Sequence, residues 1–464
     1  MGTRDIAMSL QTHIDPATMP RLISDLDEAR LLLTRRFGFE EPALSDRMLA
    51  GIERVFGEPL TADAVVDRIL REVRTEGDPA VCRYADAFDG GAPRQLEVPR
   101  ATWRQALYGL PVALQDALHL AADQITAFHQ KQLRTSWLDF SDEGALGQMI
   151  RPLDRVGIYT PGGIAVYPSS LLMTAVPARV AGVSEVIVCT PPGPGGTISP
   201  LILAAAEVAG VHRLFQVGGV QAIGAMAFGT ESIPHVDKIY GPGNIFVVLA
   251  KRRVFGIVDI DQLPGPTETL LVADSSADPA LVAADLLAQA EHEAMASPIL
   301  ITTSPMLAHA VLHELPTQLD TLERGEIAAQ SLAANGLIVL VPDIPTAIDL
   351  ANAYAPEHLC LLLDDPWAVV PLVRHAGGVF VGEDSPEVLG DYTAGPSHVM
   401  PTGGTARFSS PINIAEFTKA ISVIAVNTRA LRRLGPAAAT IACAEGLTAH
   451  ARAIERRLEN LDHQ

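Results

Sequence analysis

Apolar and polar positions alternate along this chain with two different periods. At residues 25–39 (DLDEARLLLTRRFGF), 62–75 (ADAVVDRILREVRT) and 101–135, apolar residues recur every three or four positions, the spacing of one buried helical face. The breaks Gly77-Asp78-Pro79 and Gly90-Gly91-Ala92-Pro93 fall between such stretches, as turn-forming residues do. The first 135 residues are therefore expected to be mainly helical. From residue 156 the pattern changes. Short stretches at 156–159, 185–189, 212–217 and 238–240 read as strands, with helical stretches at about 199–209 and 221–228 between them. A second series begins near residue 268, with strands ETLLVAD, SPILITT, GLIVLV, HLCLLL and GGVFVG and helices at about 278–292, 305–315, 345–354 and 366–375. Strands alternating with helices at this spacing predict βαβ units, hence an α/β protein with parallel sheets covered on both faces. From residue 411 the chain is expected to be mostly helical, ending in AEGLTAHARAIERRLE.

Composition narrows the function classes. With 48% hydrophobic and 19% charged residues over 464 positions, the chain is no disordered tail, and it is long enough for several domains. Lys plus Arg is 34 against 54 for Asp plus Glu, a net charge of −20. That balance opposes binding to nucleic acid or to anionic lipid. Cys82, Cys189, Cys360 and Cys443 are far apart with no C-x-x-C pair, which argues against a disulfide framework and a cysteine zinc site. No apolar run is long enough to span a membrane, and the start MGTRDIAMSLQTHIDP has no signal-like stretch. A soluble protein of the reducing cytoplasm is the expectation.

Candidate chemistry sits outside the core periodicity. The loops YTPGG (159–163), TPPGPGG (190–196) and YGPGN (240–244) follow strands, where bare backbone can approach a phosphate in an open parallel sheet. Every βα turn favours Gly and Pro, however, and G-x-G-x-x-G with its acidic partner is absent. Gln289 and His292 lie three apart near a helix end. They could hold a metal or polar ligand, although an isolated pair of this kind also fits a solvated face. Glu357 and His358 open the strand HLCLLL and could work as acid and base, or sit as a loop carboxylate beside a partly buried imidazole. Asp391 and His398 fall in GDYTAGPSHVMPT, a segment too rich in Gly, Pro and polar residues for core. Glu445 and His450 lie five apart in the C-terminal region.

The segments RVGIYTPGG, VGGVQAIGAMAFGTES, DKIYGPGN, PGPTETLLVAD, DLLAQAEH, YAPEHL, GDYTAGPSHVMPT and AEGLTAHA occur in this order, and through them the chain resembles the histidinol dehydrogenase family. The first 55 residues carry little of the resemblance. It implies an NAD-dependent, zinc-containing homodimer that oxidises L-histidinol to L-histidinal and then to L-histidine, the last two steps of histidine biosynthesis. It implies two Rossmann-like domains without the glycine fingerprint. One would be the NAD-binding domain of residues 159–268. The other would be formed from 56–158 and 269–410, with 1–55 as an N-terminal helical segment. Residues 411–464 would form a helical tail reaching the partner's site. Gln289, His292, Asp391 and His450 correspond to the zinc ligands and Glu357 and His358 to the catalytic pair. Tyr159, Gln221 and Asn244 correspond to NAD contacts. Thr267, His358, His398, Glu445 and the zinc ligands correspond to substrate contacts. Thr267 stands where many members have Ser, keeping the hydroxyl, and EHEAMASP replaces the commoner EHG after His292.

Overall fold

The computed structural model describes residues 19–34, 44–89, 91, 95–162, 166–193 and 195–462. Two parallel sheets organise it. The five-stranded sheet runs, in spatial order, Arg213–Gln216, Glu185–Thr190, Arg155–Tyr159, Lys238–Tyr240, Asp259–Ile260. The six-stranded sheet runs Arg21–Ile23, Leu337–Leu340, Ser297–Thr302, Glu268–Ala273, His358–Leu362, Gly378–Val381. All pairings within both sheets are parallel. The central strands are continuous apolar runs because helices cover both faces. Glu268–Ala273, for example, is buried along its whole length.

The helices divide between the sheets differently from the expected domain boundaries. Residues 56–158 were expected to belong with 269–410. Instead Val65, Val66, Ile69 and Val73 of helix Ala62–Glu76 share a core with Ala222, Ile223 and Met226 on one face of the five-stranded sheet. Trp103, Leu107, Leu118 and Ile125 of helices Arg100–Gly109 and Val112–Gln130 pack on its other face. The reason is coverage, since a parallel sheet must bury both faces. The expected N-terminal helical segment is also divided. Arg21–Ile23 is an edge strand beside Leu337–Leu340, and helix Leu26–Thr34 packs Ala29 and Leu33 on the six-stranded sheet. Residues 1–18 and 35–43 lie outside the described residues. The stretch 366–375, expected as a helix, holds only two short 3-10 turns, each with a proline in its first positions.

The tail also departs from expectation. Before its helices comes a nine-residue strand, Thr418–Val426, antiparallel to Gly144–Pro152, which pairs in turn with Trp137–Ser141. Helices Thr428–Ala444 and Thr448–Asp462 follow and pack on each other through Ala439, Ala442, Ala451 and Ile454. This ribbon and helix pair leave large apolar side chains bare, with Phe140 75% and Ile424 74% exposed.

Candidate functional site

The two sheets meet with opposite ends. Tyr159, Thr190, Gln216 and Tyr240 each close a strand of the five-stranded sheet, and the loops after them form a cavity of about 820 Å³. That is ample for a dinucleotide. By contrast, Glu268 and His358 each begin a strand of the six-stranded sheet, with His358 paired in register to Thr269. A second pocket of about 390 Å³ opens there, lined by Thr267, His292, Glu357, His358, Asp391 and His398. Asn244 lines both spaces.

Tyr159, Gln221 and Asn244, expected to meet NAD, all line the larger cavity. The Tyr159 hydroxyl accepts from the Gly219 amide at 3.2 Å. Asn244 caps helix Ile245–Val254, its Oδ1 accepting from Phe246 and Val247 at 3.1 and 3.3 Å. This commits its oxygen and leaves its amide nitrogen as the group to offer a ligand. The GPGN loop is pinned from both sides. Asp261 accepts the Gly241 amide at 2.7 Å, fully buried Lys251 donates to the Gly241 carbonyl at 2.9 Å, and the two side chains pair with each other. Gly241 has φ +108°, and a Cβ there would lie 2.0 Å from the Tyr159 carbonyl, so only glycine fits.

In the smaller pocket, Glu357 Oε2 accepts from the Thr267 hydroxyl at 2.7 Å and the Glu268 amide at 3.0 Å. His358 Nδ1 lies 3.0 Å from the Glu268 carbonyl. A carbonyl can only accept, so Nδ1 carries hydrogen, and the neutral ring keeps its lone pair on Nε2. That Nε2 is buried without a hydrogen-bond partner and lies 3.8 Å from Asp391 Oδ1. Burial by itself would lower the His358 pKa, but Glu357, Glu387 and Asp391 outweigh it and push it up to about 9. Burial also pushes Glu357 upward. Both shifts bring a proton into the pair. Glu357 Oε2 already receives two donors, which favours its ionised form, so the imidazole holds the proton.

Asp391 and Glu387 project from the short helix Glu387–Tyr392. His398 Nδ1 donates to the Asp391 carbonyl at 2.7 Å, and its Nε2 meets the Ser170 hydroxyl at 3.0 Å. Both ring nitrogens are thus engaged, and His398 fixes the segment that carries Asp391. Helix Pro279–Ala290 ends two residues earlier than expected, so Gln289 lies in its last turn and His292 just beyond, at the open rim. Protein crowding water away from one side of the rim holds His292, and burial holds His398, below the ordinary histidine range, in the neutral form that can ligate a metal. The Gln289 amide satisfies its neighbours when its nitrogen donates to Glu387 Oε1 at 3.0 Å. Its oxygen then faces Thr267 Oγ1 at 2.6 Å and the Glu268 amide at 2.9 Å. Sequence reasoning missed Glu387, although it stands one helical turn before Asp391 in SPEVLGDY.

Glu445 and His450 are exposed on the tail and line neither pocket. Among the described residues of one chain, no three His, Cys, Asp or Glu side chains group to hold a metal. Of the four expected ligands, His292 and Asp391 line the smaller pocket, Gln289 lies in the helix turn before His292, and His450 stands on the tail.

The histidinol dehydrogenase family model matches residues 57–458. The chain is 54% identical to histidinol dehydrogenase of Deinococcus radiodurans over 434 residues, 93% of this chain and 98% of that one. It is 46% identical to that of Syntrophotalea carbinolica, covering 92% of this chain and 100% of the relative. Its fold superposes on the crystal structure of histidinol dehydrogenase from Elizabethkingia anophelis with TM-score 0.87 at 34% identity, covering 96% of this chain and 99% of that one. Strand starts that carry Glu357 and His358, two facing pockets and this likeness along nearly the whole length agree: the chain belongs to the histidinol dehydrogenase family.

Proposed function

We propose that this chain oxidises L-histidinol through L-histidinal to L-histidine with two NAD⁺, using Glu357 and His358 as its acid and base. The observation that carries the reading is the unpartnered Nε2 of His358, turned to Asp391 at the pocket wall, with Nδ1 held by the Glu268 carbonyl. Alcohol oxidation needs a base for the hydroxyl proton while hydride leaves carbon for the nicotinamide. Once its ring has released the proton that the surrounding carboxylates favour, His358 offers that base through Nε2. The aldehyde must then gain water before a second hydride can leave. Glu357, held by Thr267 and the Glu268 amide, takes the proton from that water. His358 gives the proton it took from the alcohol to the carbonyl oxygen as water adds, then takes the hydrate's hydroxyl proton as the second hydride departs to another NAD⁺, and the acid is released. That Asn244 lines both pockets supports a nicotinamide reaching from the larger one into the smaller.

In this reading Gln289, His292 and Asp391 would be three ligands of a zinc ion, which when bound would orient and polarise the substrate's polar groups. His450 of the partner subunit is the fourth ligand in this reading, with Glu445 of the partner subunit at the substrate. Two observations support such a homodimer. The two tail helices pack on each other and hold His450 out in solvent, and the ribbon before them exposes Phe140 and Ile424. Bare apolar surface of this kind marks an interface. No described helix is long and apolar enough to cross a membrane, and the acidic balance agrees with a cytoplasmic enzyme acting on a small molecule. The test is stoichiometry. With limiting L-histidinol and excess NAD⁺, the protein should form two NADH and one L-histidine per substrate consumed. One NADH with accumulating aldehyde, or none, contradicts the reading.

A further inference from the structure

We infer that Asp89 selects the cofactor, accepting hydrogen bonds from a ribose diol of NAD and turning away the 2′-phosphate of NADP. This rests on the proposed use of a nicotinamide dinucleotide in the larger cavity. Among that cavity's described lining residues there is no Lys, Arg or His, and Asp89 is the one acid. A wall without cations offers nothing to neutralise an extra phosphate, and a carboxylate repels it.

The placement of Asp89 is specific. It follows helix Asp78–Phe88 and reaches the start of helix Gly219–Phe228, where Oδ2 accepts from the Gly218 amide at 3.3 Å and from Gln221 Nε2 at 3.4 Å. In dinucleotide-binding folds a helix start of this kind usually seats a phosphate. Here the protein's own carboxylate holds that place, so the adjoining part of the cofactor must be a hydroxyl donor and not an anion. Both hydrogen bonds are long, and Oδ1 has no partner among the described residues. The carboxylate therefore keeps room for the two donors of a cis-diol. Burial lifts its pKa to about 6, which leaves it ionised at neutral pH. The acidic residue that the glycine fingerprint would place downstream of the first strand is thus supplied from upstream, by a helix packed over the sheet. Sequence spacing gives no sign of it.

The test compares wild type with Asp89→Asn, Asp89→Ser and Asp89→Glu. The readouts are kcat/KM for NAD⁺ and NADP⁺ with histidinol, and the binding of ADP-ribose and its 2′-phosphorylated form. Wild type should prefer NAD⁺. The NAD⁺/NADP⁺ ratio should fall at least about tenfold in the Asn and Ser variants, and Asp89→Glu, which keeps the charge, should retain most of it. Loss of a merely structural helix cap would weaken both dinucleotides alike and leave the ratio unmoved. An unchanged ratio in folded Asn and Ser variants, or a wild type indifferent to the 2′-phosphate, overturns the role of Asp89. A wild-type protein that reduces neither dinucleotide overturns the cofactor reading itself.

Discussion

The ring nitrogen Nδ1 of His358 donates to the main-chain carbonyl of Glu268 at 3.0 Å, and this one contact sets which side of the imidazole faces the chemistry. The free lone pair of the neutral ring then lies on Nε2, the atom without a partner. Replacing His358 with Asn removes that lone pair while keeping a small polar group. Both oxidations should slow by about 10²-fold or more, the usual scale for losing a general base, with little change in thermal stability. Steady-state rates started from histidinol and from histidinal would check this. Near-normal turnover from either compound contradicts the assignment of His358.

In the proposed mechanism Glu357 has a different task, because only the aldehyde stage needs water. Glu357→Gln keeps the shape and can still accept from Thr267 and the Glu268 amide, but it cannot take a proton. The aldehyde stage should slow by roughly 10²-fold or more while the alcohol stage falls much less. Single-turnover traces that resolve the two NADH-forming phases are the check. Equal slowing of both phases would remove the division of labour between Glu357 and His358.

The pH dependence of cofactor binding follows from Asp89. Its folded pKa stands raised by burial from 3.8 to about 6, so the folded chain holds a proton that the unfolded chain releases earlier. Stability from this group is therefore present at low pH and is lost as pH rises through that window. A ribose diol donating to the carboxylate favours the ionised form and reverses the sign for binding. Across the cavity the ionisable neighbour is Tyr159, pushed up to about 12 by burial and neutral throughout. The thermal stabilisation given by NAD⁺ should then be larger at pH 7 than at pH 5, and Asp89→Asn should flatten that difference. Equal shifts at both pH values in wild type would contradict it.

Much of this architecture is legible in the sequence because local signals agree with the final fold. The apolar runs at 268–274 and 358–363 are strands, and the Gly- and Pro-rich loops after 159 and 240 do line a cavity. Glu357 and His358 are placed by the start of their own strand. What the chain does not announce depends on packing between distant segments. Helix Ala62–Glu76 has the periodicity of a buried face, but nothing in it says which sheet it will cover. Strand Thr418–Val426 pairs with residues some 270 positions earlier, and most of its side chains are exposed in the single chain, so no in–out alternation announces it. Glu387 is found only when its oxygen meets the Gln289 amide, and Asp89 only when its helix reaches Gly218 and Gln221.

Metal removal should be decisive for the Gln289, His292 and Asp391 set. Dialysis against a chelator should abolish histidinol oxidation and Zn²⁺ should restore it, while NAD⁺ binding in the separate cavity persists. Because the ligating imidazole must be neutral, zinc affinity should weaken as pH falls. Full turnover by protein shown to be free of metal would contradict the assignment.

In the proposed dimer one working site needs the catalytic pocket of one chain and the tail of another. Gln289→Ala and His450→Ala should each be inactive alone. In a heterodimer of the two, one site draws Gln289 from one chain and His450 from the other and is whole, while the second site lacks both. Co-expression makes about half of the dimers mixed, so activity should recover to roughly a quarter of wild type. Purified heterodimers that remain as inactive as their folded parents would contradict the shared site and require each metal centre to be built within a single chain.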